Sequence, residues 1–273
     1  MEQIEFWKMS GSGNDFIIID NRDRHIKDKD MSRIVSRACR RRESVGADGV
    51  IFVVDSDSSD FAWRFFNADG GEVEMCGNGS RCVARFAYLK GIAGQEMTFD
   101  TMNGPVSARV EGRRVKVLMP KPTGLSIDIP VKHKEGWKSA DFIDTGVPHL
   151  VVEVGDLKDH PVFEQGRTAR YDEFFAPSGT NVDFMKKAGE DHLEIRTYER
   201  GVEDETLACG TGCIACALVS SLKGAVKSPV SVTTKSGEDL IISFSRNRES
   251  FEEVWMEGNT SIIYRAGLDH EAL

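Results

Sequence analysis

Two short cysteine-containing motifs are the part of this sequence best suited to chemistry. Cys76-Gly77-Asn78-Gly79 and Cys209-Gly210-Thr211-Gly212 share the pattern Cys-Gly-x-Gly, lie about half the chain length apart, and each precede a stretch with helical spacing. A thiol at the start of a helix lies at the positive end of the helix dipole, which favours the thiolate. The glycines allow a tight turn, so that free backbone N–H groups can approach an anion such as a carboxylate.

Such a pair of motifs predicts proton transfer at a carbon atom next to a carboxylate. One cysteine, as a thiolate, would remove the α-proton, while the other, as a thiol, would supply a proton. The backbone N–H groups would stabilise the negative charge that develops, and the titrations of the two thiols would be coupled. Chance recurrence of a four-residue pattern is the alternative; an acidic stretch and a strand–turn–helix context recur around both motifs and argue against it.

The repeat also predicts the domain organisation. A chain of 273 residues is long enough for two compact domains. A proline-containing stretch at 119–124 interrupts the pattern near the middle of the chain. We expect an N-terminal domain over residues 1–119 that carries Cys76 and takes up a C-terminal strand at about 260–273. A second domain over residues 120–259 would carry Cys209.

Short apolar or alternating segments predict a protein rich in β-strands. The predicted strands are Ile4–Met9, Phe16–Asp20, Val50–Val54, Ala62–Phe66, Val106–Val110, Val115–Met119, His149–Val154, Leu193–Thr197, Val230–Thr234, Leu240–Phe244 and Ser261–Tyr264. Two pairs are predicted hairpins, through Glu111-Gly112 and through Lys235-Ser236-Gly237. Helices are predicted from about Asp30 to Arg42 and just after each cysteine motif, through Arg81–Leu89 and Cys213–Leu222.

Composition and charge argue against several classes of function. The chain has 35 Lys and Arg against 44 Asp and Glu, a net charge of −9, so nucleic acid is not an expected partner. No apolar segment approaches the roughly 18–20 residues of a membrane span, and the N-terminus lacks the pattern of a signal peptide. We therefore expect a cytoplasmic protein without a membrane partner. Gly11-Ser12-Gly13 lacks the third glycine of a dinucleotide fingerprint, so we predict no cofactor.

The remaining cysteines have simpler interpretations. Cys39 and Cys82 are expected to be small buried apolar residues. Cys213-x-x-Cys216 could form a redox or zinc pair, but it is the single such pair and falls in an apolar helix, so no metal is predicted. Six cysteines could also form three disulfides, which a chain of this size does not need in a reducing cytosol.

The sequence resembles the diaminopimelate epimerase family in six blocks that occur in the family's order. The blocks are Lys8–Phe16, Phe66–Gly70, Met75–Cys82, Asp144–His149, Gly179–Phe184, and Tyr198–Gly201 followed by Ala208–Gly212. The resemblance implies an α+β fold of two pseudo-symmetric domains, each a curved, mostly antiparallel or mixed sheet wrapped around a central helix. It also implies cofactor-independent epimerisation of LL- to meso-diaminopimelate, a step of lysine and peptidoglycan precursor synthesis. It further implies a homodimer, with the last strand around Tyr264 at the contact between the subunits.

The resemblance assigns roles to individual residues. It implies that Cys76 and Cys209 are the two acid/base thiols. The α-carboxylate would be held by Gly77, Asn78, Gly210 and Thr211, and the distal amino acid end by Asn14, Asn67, Asn181, Glu199 and Arg200. Arg200 can fork onto a carboxylate and Glu199 can receive an ammonium group. His149 and Glu199 would help to set the pKa values of the thiols. Taken alone, Asn14 and Asn67 are equally well explained as turn residues.

Three departures from the family pattern bear on substrate preference. Val147 stands where many members carry Asn, Gly49 stands where some carry Gln, and the stretch 201–206 is one residue longer. An alternative function is therefore the racemisation or epimerisation of another amino acid on the same fold. A second alternative is a non-enzymatic redox or zinc thiol protein, which would bind metal or form a functional disulfide and would exchange no α-proton.

Overall fold

The computed structural model describes residues 3–132, 135–247 and 250–273. The chain forms two compact units. Unit 1 contains the chain up to Val117 together with Gly258–Leu273, and unit 2 contains Leu118–Glu257. Both units combine strands with helices, as the α+β prediction requires. Among the described residues, no helix has the length and apolar character needed to span a membrane.

Strands dominate the described parts of the chain. They are β1 (Ile4–Gly11), β2 (Asn14–Asp20), β3 (Gly49–Val54), β4 (Phe61–Asn67), β5 (Glu96–Thr101), β6 (Gly104–Glu111), β7 (Arg114–Leu118), β8 (Thr123–Ser126), β9 (Trp137–Asp144), β10 (Pro148–Val154), β11 (Asn181–Lys187), β12 (His192–Glu199), β13 (Asp204–Thr206), β14 (Val230–Thr233), β15 (Asp239–Arg246), β16 (Phe251–Asn259) and β17 (Ser261–Leu268). The α-helices are α1 (Asp28–Ala38), α2 (Gly77–Leu89), α3 (Val162–Arg170) and α4 (Gly210–Leu222).

Unit 1 is a mixed sheet around α2. β1 pairs antiparallel with β2 on one side and with the C-terminal strand β17 on the other, and β2 continues parallel to β3. β3 pairs antiparallel with β4, and β5, β6 and β7 form an antiparallel set. The pairing of Glu111 with Arg114 confirms the first predicted hairpin. α2 packs against β1, β2, β3 and β6 and is buried along most of its length, as a central helix must be.

Unit 2 repeats this plan around α4. β10 lies between antiparallel β9 and parallel β11, and β11 pairs antiparallel with β12. β12 runs parallel to β14, which forms the second predicted hairpin with β15. α4 consists mostly of small and apolar residues and is buried from Gly212 to Ser220, which explains why its sequence lacks a polar face. It packs against strands β9, β10, β11, β12, β14 and β15 of this unit.

Two strands of unit 2 escaped the sequence-based predictions for a common reason. β9 and β11 carry the buried acids Asp141 and Asp183, which break the apolar pattern of a core strand. Each acid forms a hydrogen bond within unit 2 to a residue that is remote in sequence, and this bond offsets the cost of burying the carboxyl group. β5, β8, β13, β16 and α3 were also not predicted.

Helix α1 ends earlier than the sequence predicted. The arginines that follow Ala38 lie in a turn instead of in the last helical turn. The Arg41 guanidinium contacts the carboxylates of Asp15 and Asp48. Within the described residues none of the six cysteines forms a disulfide, so the three-disulfide alternative is wrong.

Candidate active site

The first cysteine motif forms the N-terminus of helix α2. Cys76 is the N-cap residue with extended backbone angles, and its Sγ accepts a hydrogen bond from the Gly79 N–H at 3.4 Å. The thiol thus takes the capping position that a serine or aspartate side chain takes in other helices. An N–H group donated to sulfur at the positive end of the dipole favours the thiolate over the thiol.

Two of the predicted asparagines lie together at this helix end. The Asn78 Nδ2 donates to Asn14 Oδ1 at 2.8 Å, and the Asn14 Nδ2 donates to Asp48 Oδ2 at 3.0 Å. Asn14 opens strand β2, so the short β1–β2 turn brings it to the first turn of α2. The β1–β2 turn packs closely there, since a Cβ atom at Gly11 would lie 3.3 Å from the Asn78 carbonyl oxygen.

Asn67 and Gly49 lie at one end of strands β3 and β4. Gly49 pairs with Phe16 on one side and with Asn67 on the other, and the Asn67 side chain is exposed. A Cβ atom at Gly49 would lie 2.6 Å from both the Phe65 ring and the Phe66 carbonyl oxygen. A glutamine at this position would therefore require the β4 backbone to move, which explains why this chain carries glycine here.

The second cysteine motif forms the N-terminus of helix α4 but leaves its thiol in a different environment. Cys209 is again an extended N-cap residue, yet its side chain makes no capping hydrogen bond, and its Sγ lies 3.4 Å from Thr211 Oγ1. The residue is 6% exposed. Burial raises the pKa of Cys209 well above its ordinary value, and the nearby carboxylates of Glu199 and Asp183 raise it further, while contacts with the Thr211 hydroxyl and the Gly212 backbone offset only part of this rise. Cys209 is therefore a thiol at neutral pH.

A buried histidine–aspartate pair lies beside Cys209. The His149 Nδ1 is 2.7 Å from Asp183 Oδ2, and both residues are 0% exposed. The Thr197 hydroxyl donates to the other carboxylate oxygen at 2.7 Å. Because an ionised carboxylate only accepts, Nδ1 carries the proton, and the buried Nε2 is the nitrogen that has no hydrogen-bond partner among the described residues. The pair fixes the tautomer and orientation of the His149 ring.

Asp183 is the functional candidate that sequence reasoning missed. Its signal was an acid inside the apolar run Val182-Asp183-Phe184, which is uncommon in a core strand. Ligand atoms of His149, Asp183 and Cys209 all lie within 4.8 Å of one another. This set could hold a soft divalent cation, and the same geometry suits proton transfer to and from the sulfur.

Gly212 allows the helix to approach this carboxylate. A Cβ atom at Gly212 would lie 2.2 Å from Asp183 Oδ1 and 3.3 Å from Thr197 Oγ1. No side chain fits there without displacing Asp183. The second glycine of the motif is thus required by packing against the acid as well as by the turn.

Three of the five residues predicted for the distal substrate end, Asn181, Glu199 and Arg200, lie in β11, in β12 and directly after β12. The buried Asn181 donates from Nδ2 to the Pro148 carbonyl at 3.1 Å and accepts the Arg200 N–H at 2.8 Å, so its amide joins the segments that carry His149 and Arg200. The Arg200 guanidinium contacts the Ser178 carbonyl at 3.3 Å. Burial raises the pKa of Glu199, an effect that Thr206 and His149 partly offset.

The other two departures from the family pattern, at Val147 and at 201–206, lie in unit 2 with the second motif. Val147 is half-buried in the turn before β10, and its carbonyl accepts the Thr145 N–H at 3.1 Å. The Thr145 hydroxyl in turn donates to the Thr211 carbonyl at 3.1 Å. The stretch 201–206 forms a turn and the short strand β13, which pairs with β12 beside Glu199.

Comparison with solved structures identifies the fold. A PhzF-family phenazine biosynthesis protein of Bacillus anthracis has a TM-score of 0.76 at 15% identity, covering 98% of this chain and 100% of its own. A hydroxyproline epimerase of Agrobacterium vitis has a TM-score of 0.69 at 15% identity, covering 98% and 93%. These likenesses confirm the predicted α+β, epimerase-like fold.

Sequence comparison gives the family. The family model described as diaminopimelate epimerase matches residues 6–124 and 142–263. The diaminopimelate epimerase of Aquifex aeolicus is 46% identical over 99% of this chain and 99% of its own length, and that of Hydrogenobaculum is 43% identical over 97% and 98%. The chain belongs to the diaminopimelate epimerase family.

Proposed function

We propose that the protein is an isomerase that epimerises LL-diaminopimelate to meso-diaminopimelate with two cysteines and without a cofactor. One observation carries the proposal: in a chain of this family, two cysteines each form the N-cap of a buried 13-residue helix. The names of the full-length relatives supply the substrate.

Cys76 and Cys209 act as the two bases of the reaction. One thiolate removes the α-proton, and the other thiol delivers a proton to the opposite face of the same carbon. The reverse reaction exchanges the two roles. The environments support Cys76 as the thiolate and Cys209 as the thiol in the free protein, since Sγ of Cys76 accepts an N–H and Cys209 is buried beside two acids.

The first N–H groups of the two helices hold the α-carboxylate. Gly77 and Asn78 open α2, and Gly210 and Thr211 open α4. The first N–H groups of a helix have no carbonyl partner within it, and they point along the positive end of the dipole. They stabilise the negative charge that builds on the carboxylate when the α-proton leaves.

Charged and amide side chains recognise the far end of the substrate. Arg200 binds the distal carboxylate and Glu199 the distal ammonium group, while Asn14, Asn67 and Asn181 complete the hydrogen bonds. His149, held by Asp183, and Glu199 tune the protonation of Cys209, because all three lie in its immediate electrostatic environment.

The assembly and location of the protein follow from the same family membership. The protein is proposed to be a cytoplasmic homodimer without nucleic-acid or membrane partners. Its domains are proposed as 1–119 with about 260–273, and 120–259. Exposed Ile263 and Tyr264 on β17 support a role of the last strand in the contact. Light scattering coupled to size exclusion tests the mass, and a Tyr264→Ala variant that stays dimeric would contradict this placement.

Proton NMR of LL-diaminopimelate in D2O tests the function. Reduced wild-type protein is expected to remove the α-proton signal and to produce the meso form, whereas Cys76→Ala and Cys209→Ala are expected to produce no meso form. Folded, reduced protein that exchanges no α-proton of diaminopimelate would refute the substrate assignment. A screen of other amino acids then tests the related racemase function, which the departure at Val147 favours. Metal analysis of the purified protein tests the zinc or redox thiol alternative.

A further inference from the structure

Four side chains form a continuous hydrogen-bonded relay at the first cysteine motif. Arg81 Nη2 donates to Asn78 Oδ1 and, at 2.8 Å, to Ser12 Oγ. The Asn78 Nδ2 donates to Asn14 Oδ1, and the Asn14 Nδ2 donates to Asp48 Oδ2. All donor groups point from Arg81 towards Asp48, so the relay has one direction.

The chemistry of the two ends sets this direction. A guanidinium group has donors only, and an ionised carboxylate has acceptors only, whereas a carboxamide has both and can rotate by half a turn. With Arg81 at one end, Asn78 must present its oxygen to the guanidinium and its nitrogen to Asn14. With Asp48 at the other end, Asn14 must present its nitrogen to the carboxylate and its oxygen to Asn78.

We propose that Arg81 and Asp48 are positioning residues that fix the orientation of the Asn14 and Asn78 amides for substrate binding. The inference rests on the proposed function, in which both asparagines bind diaminopimelate. Each amide keeps one N–H and one oxygen lone pair outside the relay. A rotated amide would place a donor where the substrate needs an acceptor, and such a mismatch weakens binding strongly in a site built on hydrogen bonds.

Both ends of the relay are themselves anchored. Arg81 is 0% exposed and also contacts the Asn259 carbonyl at 3.4 Å, so burial and the last segment of unit 1 hold it. Asp48 receives the Arg41 guanidinium at 2.8 Å and the Asp15 N–H at 3.1 Å. With a donor-only group at one end and an acceptor-only group at the other, the two amides between them have a single consistent arrangement.

A double-mutant cycle with Arg81→Gln and Asp48→Asn tests the proposal. Each substitution replaces an obligate donor or acceptor with an amide that can do either, and each single variant keeps the other charged end. We expect KM for diaminopimelate to rise about threefold in each single variant and kcat to change less than about twofold. In the double variant, KM is expected to exceed the product of the two single effects by about fivefold or more.

Arg85→Gln is the matched control. Arg85 lies one turn further along α2 and donates to the Thr260 carbonyl at 2.7 Å, outside the relay. Combined with Asp48→Asn, it is expected to give a KM equal to the product of the single effects. If Arg81→Gln with Asp48→Asn behaves in the same multiplicative way, the relay does not set the amide orientation.

A structural readout separates this inference from the function. In protein labelled with ¹⁵N-asparagine, the carboxamides of Asn14 and Asn78 are expected to give one set of signals in wild type and in each single variant, but doubled or exchange-broadened signals in the double variant. Sharp, single signals in the double variant would overturn the proposal even if diaminopimelate is the substrate, and a wild type inactive on diaminopimelate would leave this readout valid. If Arg81→Gln does not fold, Arg81→Lys keeps an obligate donor, and synergy of that variant with Asp48→Asn would contradict the proposal.

Discussion

The two cysteine motifs share their sequence pattern and helix geometry but differ in what surrounds the sulfur. Both cysteines are extended N-cap residues of 13-residue buried helices. Sγ of Cys76 is half-buried and accepts the N–H of Gly79, whereas Cys209 is buried and has no capping hydrogen bond. The same motif thus places its two thiols in different surroundings.

The neighbouring residues account for this difference. Asn78 and Arg81 of the first motif correspond to Thr211 and Ile214 of the second, so the amide relay and its buried cation have no counterpart there. The second motif lies instead beside Asp183 and Glu199, whose charges disfavour a thiolate. The proposed two-base reaction needs one thiolate and one thiol at the same pH, and this asymmetry in surroundings is what that proposal requires of the two motifs.

Among the substitutions that test this difference between the motifs, replacement of Asp183, the aspartate beside Cys209, should have the largest effect on kcat. In Asp183→Asn, the amide can donate to His149 Nδ1 and so stabilise the wrong tautomer of the ring. We expect kcat to fall by roughly 10²–10³-fold, within the range typical of a lost acid–base contribution. Steady-state kinetics from both substrate directions would measure it.

Asp141→Asn is the matched control for this prediction. Asp141 is also a fully buried carboxylate of unit 2, but it bonds Lys223 at the far end of α4. Its kcat, normalised to folded protein, should stay within about twofold of wild type. An equal loss of kcat in both variants would mean that Asp183 acts only through the stability of the unit.

The contrast between the two motifs also shows where sequence reasoning works and where it fails. The cysteines, the glycine turns and the two helices that follow them are local features, and the structure places them where the pattern predicts. Asp183 and Arg81 could not be predicted in the same way, because their roles arise from partners that are remote along the chain, His149 and Ser12 among them. Burial of a polar residue becomes interpretable only when its partner is known.

Selective alkylation measures the difference in protonation directly. At pH 7, iodoacetamide should modify Cys76 at least about tenfold faster than Cys209, since one unit of pKa changes the thiolate fraction tenfold. Peptide mapping by mass spectrometry over time gives both rates. Cys39, whose pKa is raised by burial to about 12, serves as an unreactive internal standard.

The pH dependence separates ionisation from access to the reagent. If ionisation limits Cys209, the ratio of the two rates should narrow as the pH rises from 7 to about 10. A ratio that stays constant over this range would show that burial alone protects Cys209. Faster modification of Cys209 at neutral pH would reverse the assignment of thiolate and thiol.

The second glycine of each motif offers a stability comparison. A Cβ atom at Gly212 would lie 2.2 Å from Asp183 Oδ1, whereas one at Gly79 would lie 3.3 Å from the terminal methyl group of Ile51. Gly212→Ala should therefore cost about 1–3 kcal/mol of unfolding free energy through overpacking. Gly79→Ala should change stability by less than about 1 kcal/mol, because the helical preference of alanine offsets the tight contact.

Urea unfolding followed by circular dichroism would measure both variants. A Gly212→Ala variant as stable as Gly79→Ala would show that Asp183 can move away from the helix without cost. In that case the close approach of α4 to the Asp183 carboxylate would not be the reason why position 212 needs a glycine.

The smallest expected difference between the two motifs is in how the stability of the fold changes at acid pH. Burial raises the pKa of Asp15, next to the relay, but hydrogen bonds from Arg41 and Lys8 outweigh it and lower the pKa from 3.8 to about 2. A carboxyl group with a lowered pKa stabilises the fold above its unfolded pKa and loses this contribution as the pH falls. Glu199 behaves in the opposite way: burial raises its pKa, so its contribution to the stability of the fold is lost as the pH rises.

The difference in melting temperature between wild type and Asp15→Asn should therefore be constant above about pH 5 and shrink between about pH 4 and pH 2. The change should be modest, because Asp15 is only half-buried and solvent screens its ion pairs. A difference that does not shrink on acidification would show that Asp15 supports the first motif by shape and hydrogen bonding instead of by charge.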